Sequence, residues 1–446
     1  MNERLSFSNQ LVIGVMLFAL FFGAGNLIFP ASLGQNAGTA LVFAVIGFLI
    51  TGIGLPFLGT LAMGFSNSKS LQDLAGKIHP IYGIAFTVAL YLTIGPFFAL
   101  PRTGAVAYEI GIAPFISESM VSFGLVVFTV VFFGITLWLS LNPLKIVDRV
   151  GKLLAPVIIV GLAVLILAAI LNPIGTFSSP EGSYIDNAFM TGFTEGYNTM
   201  DALASLVFGI IVIQSIRRLG VNSTKDVLKV TAKSGGIAVL LLGFIYAGVA
   251  YLGATTTKEF GIFDNGGPVL STSADHYFGA FGLAALAVVI LIACLTTAIG
   301  LTTATAEYFH SLIPSISYKA FVVIFIVMTT VFANFGLSSI ITYSIPVLLL
   351  LYPLAITLIL LTFAAPLFGH QRWVLVTVTA ITFLISIIDG FKGFYGDNAP
   401  AWLTSIVSVY DSVLPFYGIG LGWLVPFLIL VIVGIVTGRT RWTTTA

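Results

Sequence analysis

Two acids interrupt an apolar segment near the middle of the chain. Residues 190–215 are long and apolar enough to cross a bilayer, yet they contain Glu195 and Asp201. An ionised Asp at the centre of a membrane helix costs about 2.5 to 3.5 kcal/mol, so such residues usually face a cavity or a partner. Asp201 is therefore a candidate ligand for a cation or an ammonium group. The alternative is that Asp201 is a helix cap or a buried hydrogen-bond acceptor that holds the segment together. Glu195 lies nearer the outer end, where it either acts as a ligand or reaches water.

The polar residues of this segment recur at helical spacing. On any helix that resumes there, one face is predicted to carry Thr194, Asn198, Asp201 and Ser205.

Adjacent hydroxyls form a second candidate site. Thr296 and Thr297 lie within the apolar residues 279–306. Hard oxygen ligands suit Na⁺, and two hydroxyls that face freed backbone carbonyls could supply them without a fixed charge. The alternative is that each Thr returns its hydroxyl to the carbonyl four residues back, as is common in membrane helices. Both interpretations stay open on the sequence.

The first apolar segment is broken near its middle. Residues 9–34 contain Gly23, Gly25 and Asn26 in one short stretch, followed by Pro30. Irregular backbone at membrane depth survives only where it is buried in protein or lines a wet cavity. We expect a new half-helix to begin after the break, with N–H groups and a positive dipole end that face an anion. A carrier of a carboxylated solute is the function that this pattern favours.

Arg102 lies near the outer end of residues 81–107, and Glu109 follows seven residues later. An Arg there could attract an anionic substrate. The sequence favours the alternative, in which Arg102 extends to the interface or pairs with a nearby acid.

The composition identifies the elements that must position these residues. Of 446 residues, 58% are hydrophobic and only 8% are charged, against about 25% in soluble domains. The predicted fold is an all-α polytopic membrane protein whose partner is the lipid bilayer. A net charge of +1 indicates no nucleic-acid partner, and the single cysteine, Cys294, excludes an intrachain disulfide. We expect no enzyme and no cofactor, because no nucleophile set or phosphate-binding loop accompanies the acids.

Spans of about 20 apolar residues can be placed twelve times. They are residues 9–34, 40–63, 81–107, 120–141, 149–171, 190–215, 230–253, 279–306, 319–334, 338–363, 373–389 and 413–437. With the N-terminus inside, fifteen of the 18 Lys and Arg residues fall on the inner side. The positive-inside rule therefore predicts that both termini are cytoplasmic.

Breaks in the first and sixth spans predict two repeats of five spans. Five is odd, so the second repeat must enter the membrane upside down relative to the first, as in many secondary transporters. The predicted organisation is one membrane domain, 1–437, with a cytoplasmic tail at 438–446. The domain contains a first repeat at 9–171, a second at 190–363 and two appended helices within 373–437.

Four motifs in order resemble one known family. They are Phe18-Ala-Leu-Phe-Phe-Gly-Ala-Gly-Asn26 with Ile28-Phe-Pro30, Gly95-Pro-Phe-Phe-Ala-Leu-Pro-Arg-Thr103, Gly196-Tyr-Asn-Thr-Met-Asp201 and Ala293-Cys-Leu-Thr-Thr-Ala-Ile-Gly-Leu-Thr302. They resemble the branched-chain amino acid carriers of bacteria, the BrnQ type, from the first span to about Tyr352. The resemblance implies a LeuT-like fold and uptake of leucine, isoleucine and valine across the bacterial cytoplasmic membrane, driven by Na⁺ or H⁺. The alternatives are an amino-acid exchanger or another LeuT-fold carrier, and the oligomeric state stays open.

The resemblance also implies a site. The substrate carboxylate is expected at the break formed by Gly23, Ala24, Gly25 and Asn26. The substrate ammonium is expected at acceptors within Gly196, Tyr197, Asn198 and Asp201. A cation is expected at Ala19, Phe22, Asn26, Thr296 and Thr297. The first, second, sixth and seventh spans would then rock against the others in alternating access.

Overall fold

The computed structural model describes residues 5–141, 147–221 and 223–443, but not the side chains of 147–155 and 439–443. Helices make up 86% of the structure, with no strand in the described part. The predicted tail therefore ends outside the described residues. Six of the Lys and Arg residues that were predicted on the inner side also have side chains outside the described part, namely Arg4, Lys145, Arg149, Lys152, Arg439 and Arg441.

The described α-helices follow in chain order. They are α1 (Phe7–Phe21), α2 (Gly25–Ala37), α3 (Leu41–Leu49), α4 (Leu55–Ser66), α5 (Leu71–Gly76), α6 (Pro80–Leu92), α7 (Ala99–Gly111), α8 (Val121–Ser140), α9 (Val147–Leu171), α10 (Tyr184–Glu195), α11 (Asp201–Arg218), α12 (Thr224–Phe260), α13 (Gly267–Leu312), α14 (Tyr318–Ala333), α15 (Leu337–Ala364), α16 (Arg372–Tyr395), α17 (Ala401–Val413) and α18 (Leu424–Thr443).

The chain is divided into two compact units. The first comprises Met1–Gly54, Tyr91–Ala204 and Ala232–Thr342, and it contains both chain breaks predicted from the sequence. The second comprises Leu55–Leu90, Ser205–Thr231 and Tyr343–Ala446. The predicted division into repeats at 9–171 and 190–363 stays a prediction.

Seven helical stretches within the described residues are long and apolar enough to cross a membrane, or eight if the pair bent at Met200 is one span. Four shorter apolar helices lie at Phe7–Phe21, Pro156–Leu171, Tyr318–Ala333 and Leu424–Gly438. The all-α polytopic fold is therefore confirmed, whereas the count of twelve spans stays a prediction.

The predicted start of the last span is wrong. Residue 413 ends α17, and α18 begins only at Leu424. Between them the chain contains Pro415, and Phe416 and Gly420 adopt positive φ angles of 65° and 78°. Proline and left-handed residues end a helix, so the residues between these two helices form a connection that contains only the short 3₁₀ helix Tyr417–Ile419.

Helices α3 and α10 of the first unit approach each other backbone to backbone through glycines. A Cβ on Gly47 would lie 2.0 Å from the Phe189 carbonyl oxygen, and a Cβ on Gly192 would lie 2.0 Å from the Ala44 carbonyl oxygen. Small residues are the usual device for close helix packing in lipid, where no hydrophobic force drives helices together. These glycines therefore fix the position of α10 next to the chain break that follows it.

Gly196→Ala is expected to destabilise the protein. The added methyl would lie 2.0 Å from the Thr51 hydroxyl oxygen and 2.9 Å from the Gly52 nitrogen. Overpacking of this kind costs about 1 to 3 kcal/mol, so thermal unfolding in detergent should begin at lower temperature.

Gly300→Ala is the matched control, because nothing lies within 4 Å of a Cβ built there. Equal melting temperatures for the two variants would contradict the close packing of Gly196.

Candidate functional site

The first chain break is closed by its own asparagine. Helix α1 ends at Phe21 and α2 begins at Gly25, so residues 22–24 are not helical. The Gly23 N–H donates to Asn26 Oδ1 at 2.8 Å, and the Asn26 N–H donates to the Gly23 carbonyl at 3.2 Å. Asn26 lies in the first turn of α2, and Pro30 lies inside that helix. The predicted restart of the helix therefore falls at Gly25.

This turn leaves backbone groups at the break without helical partners. Because the Gly23 N–H is used by Asn26, the Ala19 carbonyl loses the donor that a continuous helix would provide. The Phe22 carbonyl loses its donor too, because the Asn26 N–H turns to Gly23. In the described part of the chain, the N–H groups of Ala24 and Gly25 donate no hydrogen bond. Acceptors therefore lie on the α1 side of the break and donors on the α2 side.

The second chain break lies at Met200. This residue adopts a left-handed conformation, φ 61° and ψ 9°, between the 3₁₀ turn Gly196–Thr199 and the start of α11 at Asp201. The Thr199 hydroxyl donates to the Gly196 carbonyl at 2.9 Å and accepts the Asp201 N–H at 3.3 Å. The single polar face predicted for this segment is thus interrupted, because Asn198 and Asp201 lie on opposite sides of Met200.

Asn26 and Asp201 join the two breaks directly. Asn26 Nδ2 donates to Asp201 Oδ2 at 2.6 Å, and the Tyr246 hydroxyl donates to the same oxygen at 2.8 Å. Asn26 Nδ2 also contacts the Tyr246 hydroxyl. Asn26, Asp201 and Tyr246 are all buried. The predicted role of Asp201 as a buried acceptor therefore fits the structure, and its predicted role as an ammonium ligand stays a prediction.

Arg102 also lies at these breaks. Of the two possibilities that the sequence favoured, extension to the interface is wrong, because only 2% of the surface of Arg102 is exposed. Pairing with a nearby acid stays a prediction. Arg102 Nη1 donates to the Asn198 carbonyl at 2.6 Å, and the guanidinium carbon lies 4.8 Å from the centre of the Phe29 ring. A Cβ built on Gly25 would lie 3.5 Å from Arg102 Nη1. The guanidinium thus touches both broken segments.

The two threonines of the predicted cation site differ in position. Both hydroxyls donate to the Ala293 carbonyl, Thr296 at 2.8 Å and Thr297 at 3.0 Å. Only the Thr297 bond reaches four residues back, as in the alternative interpretation. The Thr297 hydroxyl also lies 3.4 Å from the Phe22 carbonyl oxygen at the first break. Among the described contacts, none joins Thr296 to that break. The structure therefore brings Thr297 and Phe22 together and leaves Thr296 aside.

The other two acids that the sequence analysis named, Glu195 and Glu109, form separate contacts within the first unit. Glu195 is half-buried and accepts a hydrogen bond from Asn198 Nδ2 at 2.9 Å. Glu109 accepts from Asn265 Nδ2 at 2.7 Å, and Asn265 Oδ1 accepts the Gly267 N–H at 2.8 Å. Glu109 therefore contacts the turn before α13.

Sequence reasoning missed Tyr246 as a site residue. Tyr246 is a single hydroxyl in an apolar stretch of α12, and Tyr is common at such positions for packing.

Tyr197 is buried in the 3₁₀ turn, and its ring contacts Phe193 at a centroid distance of 5.8 Å. All the predicted substrate-site residues thus lie at the two breaks.

The comparisons with known proteins cover nearly the whole chain. Residues 6–441 match the family model described as branched-chain amino acid transport protein. The chain is 45% identical over 426 residues to the branched-chain amino acid permease BrnQ of Bacillus subtilis (strain 168), covering 96% of each chain. It is 44% identical over 436 residues to the permease BraB of the same organism, covering 98% of this chain and 97% of that one.

Solved structures with the same fold include two transporters. A mutant of the Eremococcus coleocola manganese transporter aligns with a TM-score of 0.59 at 18% identity, covering 98% of this chain and 97% of that one. MhsT in complex with L-phenylalanine aligns with a TM-score of 0.57 at 18% identity, covering 87% of this chain and 99% of that one. At this identity the likeness shows the fold alone, and that fold is the LeuT type.

Asn26→Ala is expected to destabilise the protein mainly through Asp201. The variant leaves the Gly23 N–H and the Asp201 carboxylate each short of a partner, and a buried unsatisfied group costs about 1 to 3 kcal/mol. Because the two residues are in contact, the loss of unfolding free energy caused by Asn26→Ala should be smaller in an Asp201→Ala background, by about 0.5 to 3 kcal/mol. Thermal unfolding of the single and double variants measures this difference.

Asn36→Ala serves as the control, because the Asn36 amide donates only to the Ser32 carbonyl, within its own helix, among the described contacts. Strict additivity of Asn26→Ala and Asp201→Ala would contradict a direct link between the two breaks.

Proposed function

The chain belongs to the branched-chain amino acid transport protein family, and we propose that it takes up leucine, isoleucine and valine together with Na⁺ by alternating access. Family membership supports transport of branched-chain amino acids by a multi-pass membrane protein, which is not an enzyme. The observation that carries the proposal is the pair of chain breaks, joined by Asn26 and Asp201, in a buried part of the first unit. The substrate site, the cation site and the choice of Na⁺ as coupling ion are parts of this proposal.

The substrate carboxylate binds at the start of α2. The N–H groups of Ala24 and Gly25 are available there, and the positive end of the helix dipole favours an anion. The Gly23 N–H is already used by Asn26, so this part of the predicted site narrows to Ala24 and Gly25. Glycine at position 25 allows the carboxylate to approach the backbone.

The substrate ammonium binds on the side of the second break. The carbonyls of Gly196, Tyr197 and Asn198 already accept hydrogen bonds, from Thr199, Met200 and Arg102 respectively. An ionised carboxylate has about four acceptor positions, and Asn26 and Tyr246 use two of them on Asp201. Asp201 is therefore the favoured partner of the ammonium.

Na⁺ binds on the α1 side of the first break. The Ala19 and Phe22 carbonyls have lost their helical donors, and the Thr297 hydroxyl lies 3.4 Å from the Phe22 oxygen. These are uncharged oxygen ligands of the kind that alkali cations accept. Asn26 Oδ1 keeps one lone pair beyond its bond to Gly23, so it completes the set from the other side. Proton coupling would instead require a titrating group, and the Asp201 and Glu195 carboxylates at the second break are not among these four ligands.

The repeats 9–171 and 190–363 supply the moving parts in this proposal. Each repeat contributes one broken segment, and the breaks let the halves of a segment tilt independently. Cation and amino acid must both favour the same outward-open state for their movements to be coupled. We expect both termini on the cytoplasmic side of a bacterial cell membrane, as the distribution of Lys and Arg predicts.

Leucine counterflow in proteoliposomes tests this function. Vesicles preloaded with unlabelled leucine should accumulate labelled leucine, and excess isoleucine or valine should inhibit, because one methylene gives only about 1 to 3 kcal/mol of discrimination. In vesicles without internal amino acid, an inward Na⁺ gradient should drive accumulation, and an inward pH gradient without Na⁺ should not.

Accumulation driven by the pH gradient alone would replace Na⁺ by H⁺ in the mechanism. Uptake that always requires internal amino acid would identify an exchanger, and absence of counterflow would overturn the transport proposal.

Thr297→Ala should weaken Na⁺ activation of leucine uptake. Loss of one oxygen ligand is expected to raise the half-saturating Na⁺ concentration roughly tenfold, which corresponds to about 1.4 kcal/mol. Thr296→Ala is the matched control, because its hydroxyl donates to the same Ala293 carbonyl but does not reach Phe22. Equal Na⁺ dependence in the two variants would remove Thr297 from the cation site.

A further inference from the structure

Arg102 brings a permanent positive charge to the proposed substrate site. The guanidinium of an arginine stays protonated in proteins. Only 2% of the surface of Arg102 is exposed. A charge at this depth is costly, so the residue needs partners that stabilise it. The structure provides such partners at both chain breaks.

The partners of Arg102 are those that a bound cation would choose. At the second break Nη1 donates to the Asn198 carbonyl at 2.6 Å, a charge-assisted hydrogen bond. At the first break the guanidinium lies over the face of Phe29 at 4.8 Å, within the range of a cation–π interaction. The Asp201 carboxylate begins α11 at the same break, three residues after Asn198. A carbonyl and an aromatic face thus contact one cation, and a carboxylate follows at the same break.

We propose that Arg102 is a resident cation of the substrate site, which takes the place of a second transported ion and limits the carrier to one mobile cation for each amino acid. This inference rests on the proposed function and concerns its stoichiometry.

The charges of the site support this stoichiometry. When Asp201 is ionised, Arg102 offsets its charge, and a zwitterionic amino acid adds no net charge. One Na⁺ at Phe22 and Thr297 is then the only charge that loading adds. Removal of Arg102 leaves the site more negative by one unit, whatever the state of Glu195, so the emptied position should attract a cation from solution.

Chemical rescue of Arg102→Ala tests the inference. Leucine uptake should fall at least tenfold in the variant. Millimolar guanidinium should restore it several-fold, because this ion fits the position that the side chain has left. Urea is the control compound, since it has nearly the same planar shape and carries no charge. Arg102→Lys should retain more uptake than Arg102→Ala because it keeps the charge without the planar fork.

The ratio of charge to leucine flux provides the second measurement. The wild type should move one positive charge per leucine. Na⁺ activation of the residual uptake by Arg102→Ala should become steeper, with a Hill coefficient that rises from about 1 toward 2. Arg218→Gln is the matched control, because Arg218 is exposed and its loss should change neither quantity.

Each outcome distinguishes this inference from the proposed function. Absence of leucine uptake by the wild type would overturn the proposed function. Wild-type uptake with two charges per leucine would overturn the resident cation alone. So would equal rescue by urea and guanidinium, or undiminished uptake by Arg102→Ala. If Arg102→Ala does not fold, Arg102→Lys still decides, because a change in its charge-to-leucine ratio would contradict the proposal.

Discussion

The structure depends on one side-chain amide, that of Asn26. Lipid cannot satisfy the backbone groups that a broken helix exposes, so each break must find its partners within the protein. Asn26 serves both breaks at once, because its oxygen accepts the Gly23 N–H and its nitrogen donates to Asp201. An apolar side chain could do neither and an ionised carboxylate could only accept, whereas the Asn amide has its acceptor and its donors on two separate atoms.

The packing around the breaks follows from the same constraint. A segment that loses helical hydrogen bonds must be held by its neighbours, and in lipid that requires close contact through small residues. Next to the second break, Gly196 lies against Thr51, and the Thr51 hydroxyl donates to the Phe193 carbonyl at 2.6 Å. Next to the first, Gly34 and Gly253 bring α2 and α12 into backbone contact. The glycines thus hold the irregular backbone in place.

The sequence predicted the breaks because glycine, asparagine and acids are rare inside apolar segments. It predicted less about their interior. The left-handed Met200 could not be foreseen, since long apolar side chains rarely adopt that conformation. The expected extension of Arg102 to the interface was wrong, because only three-dimensional packing shows that the guanidinium meets Asn198 and Phe29 in the buried interior. Tyr246 gave no local signal at all. Its role arises from a contact with Asp201, 45 residues away in the chain.

In the proposed mechanism, Asn26 also connects the two ligands. The Gly23 N–H donates to Asn26 instead of to the Ala19 carbonyl, and that carbonyl is thereby available to the cation. The same amide holds Asp201, the favoured partner of the ammonium. Movement of α1 that disturbs the cation ligands must therefore pull on Gly23, then on Asn26, then on Asp201. Coupling between bound ligands is reciprocal, so an amino acid that orders Asp201 must stabilise the cation ligands by the same free energy. A carrier built this way does not need direct contact between its substrate and its ion, because the asparagine between them transmits the binding of each to the other.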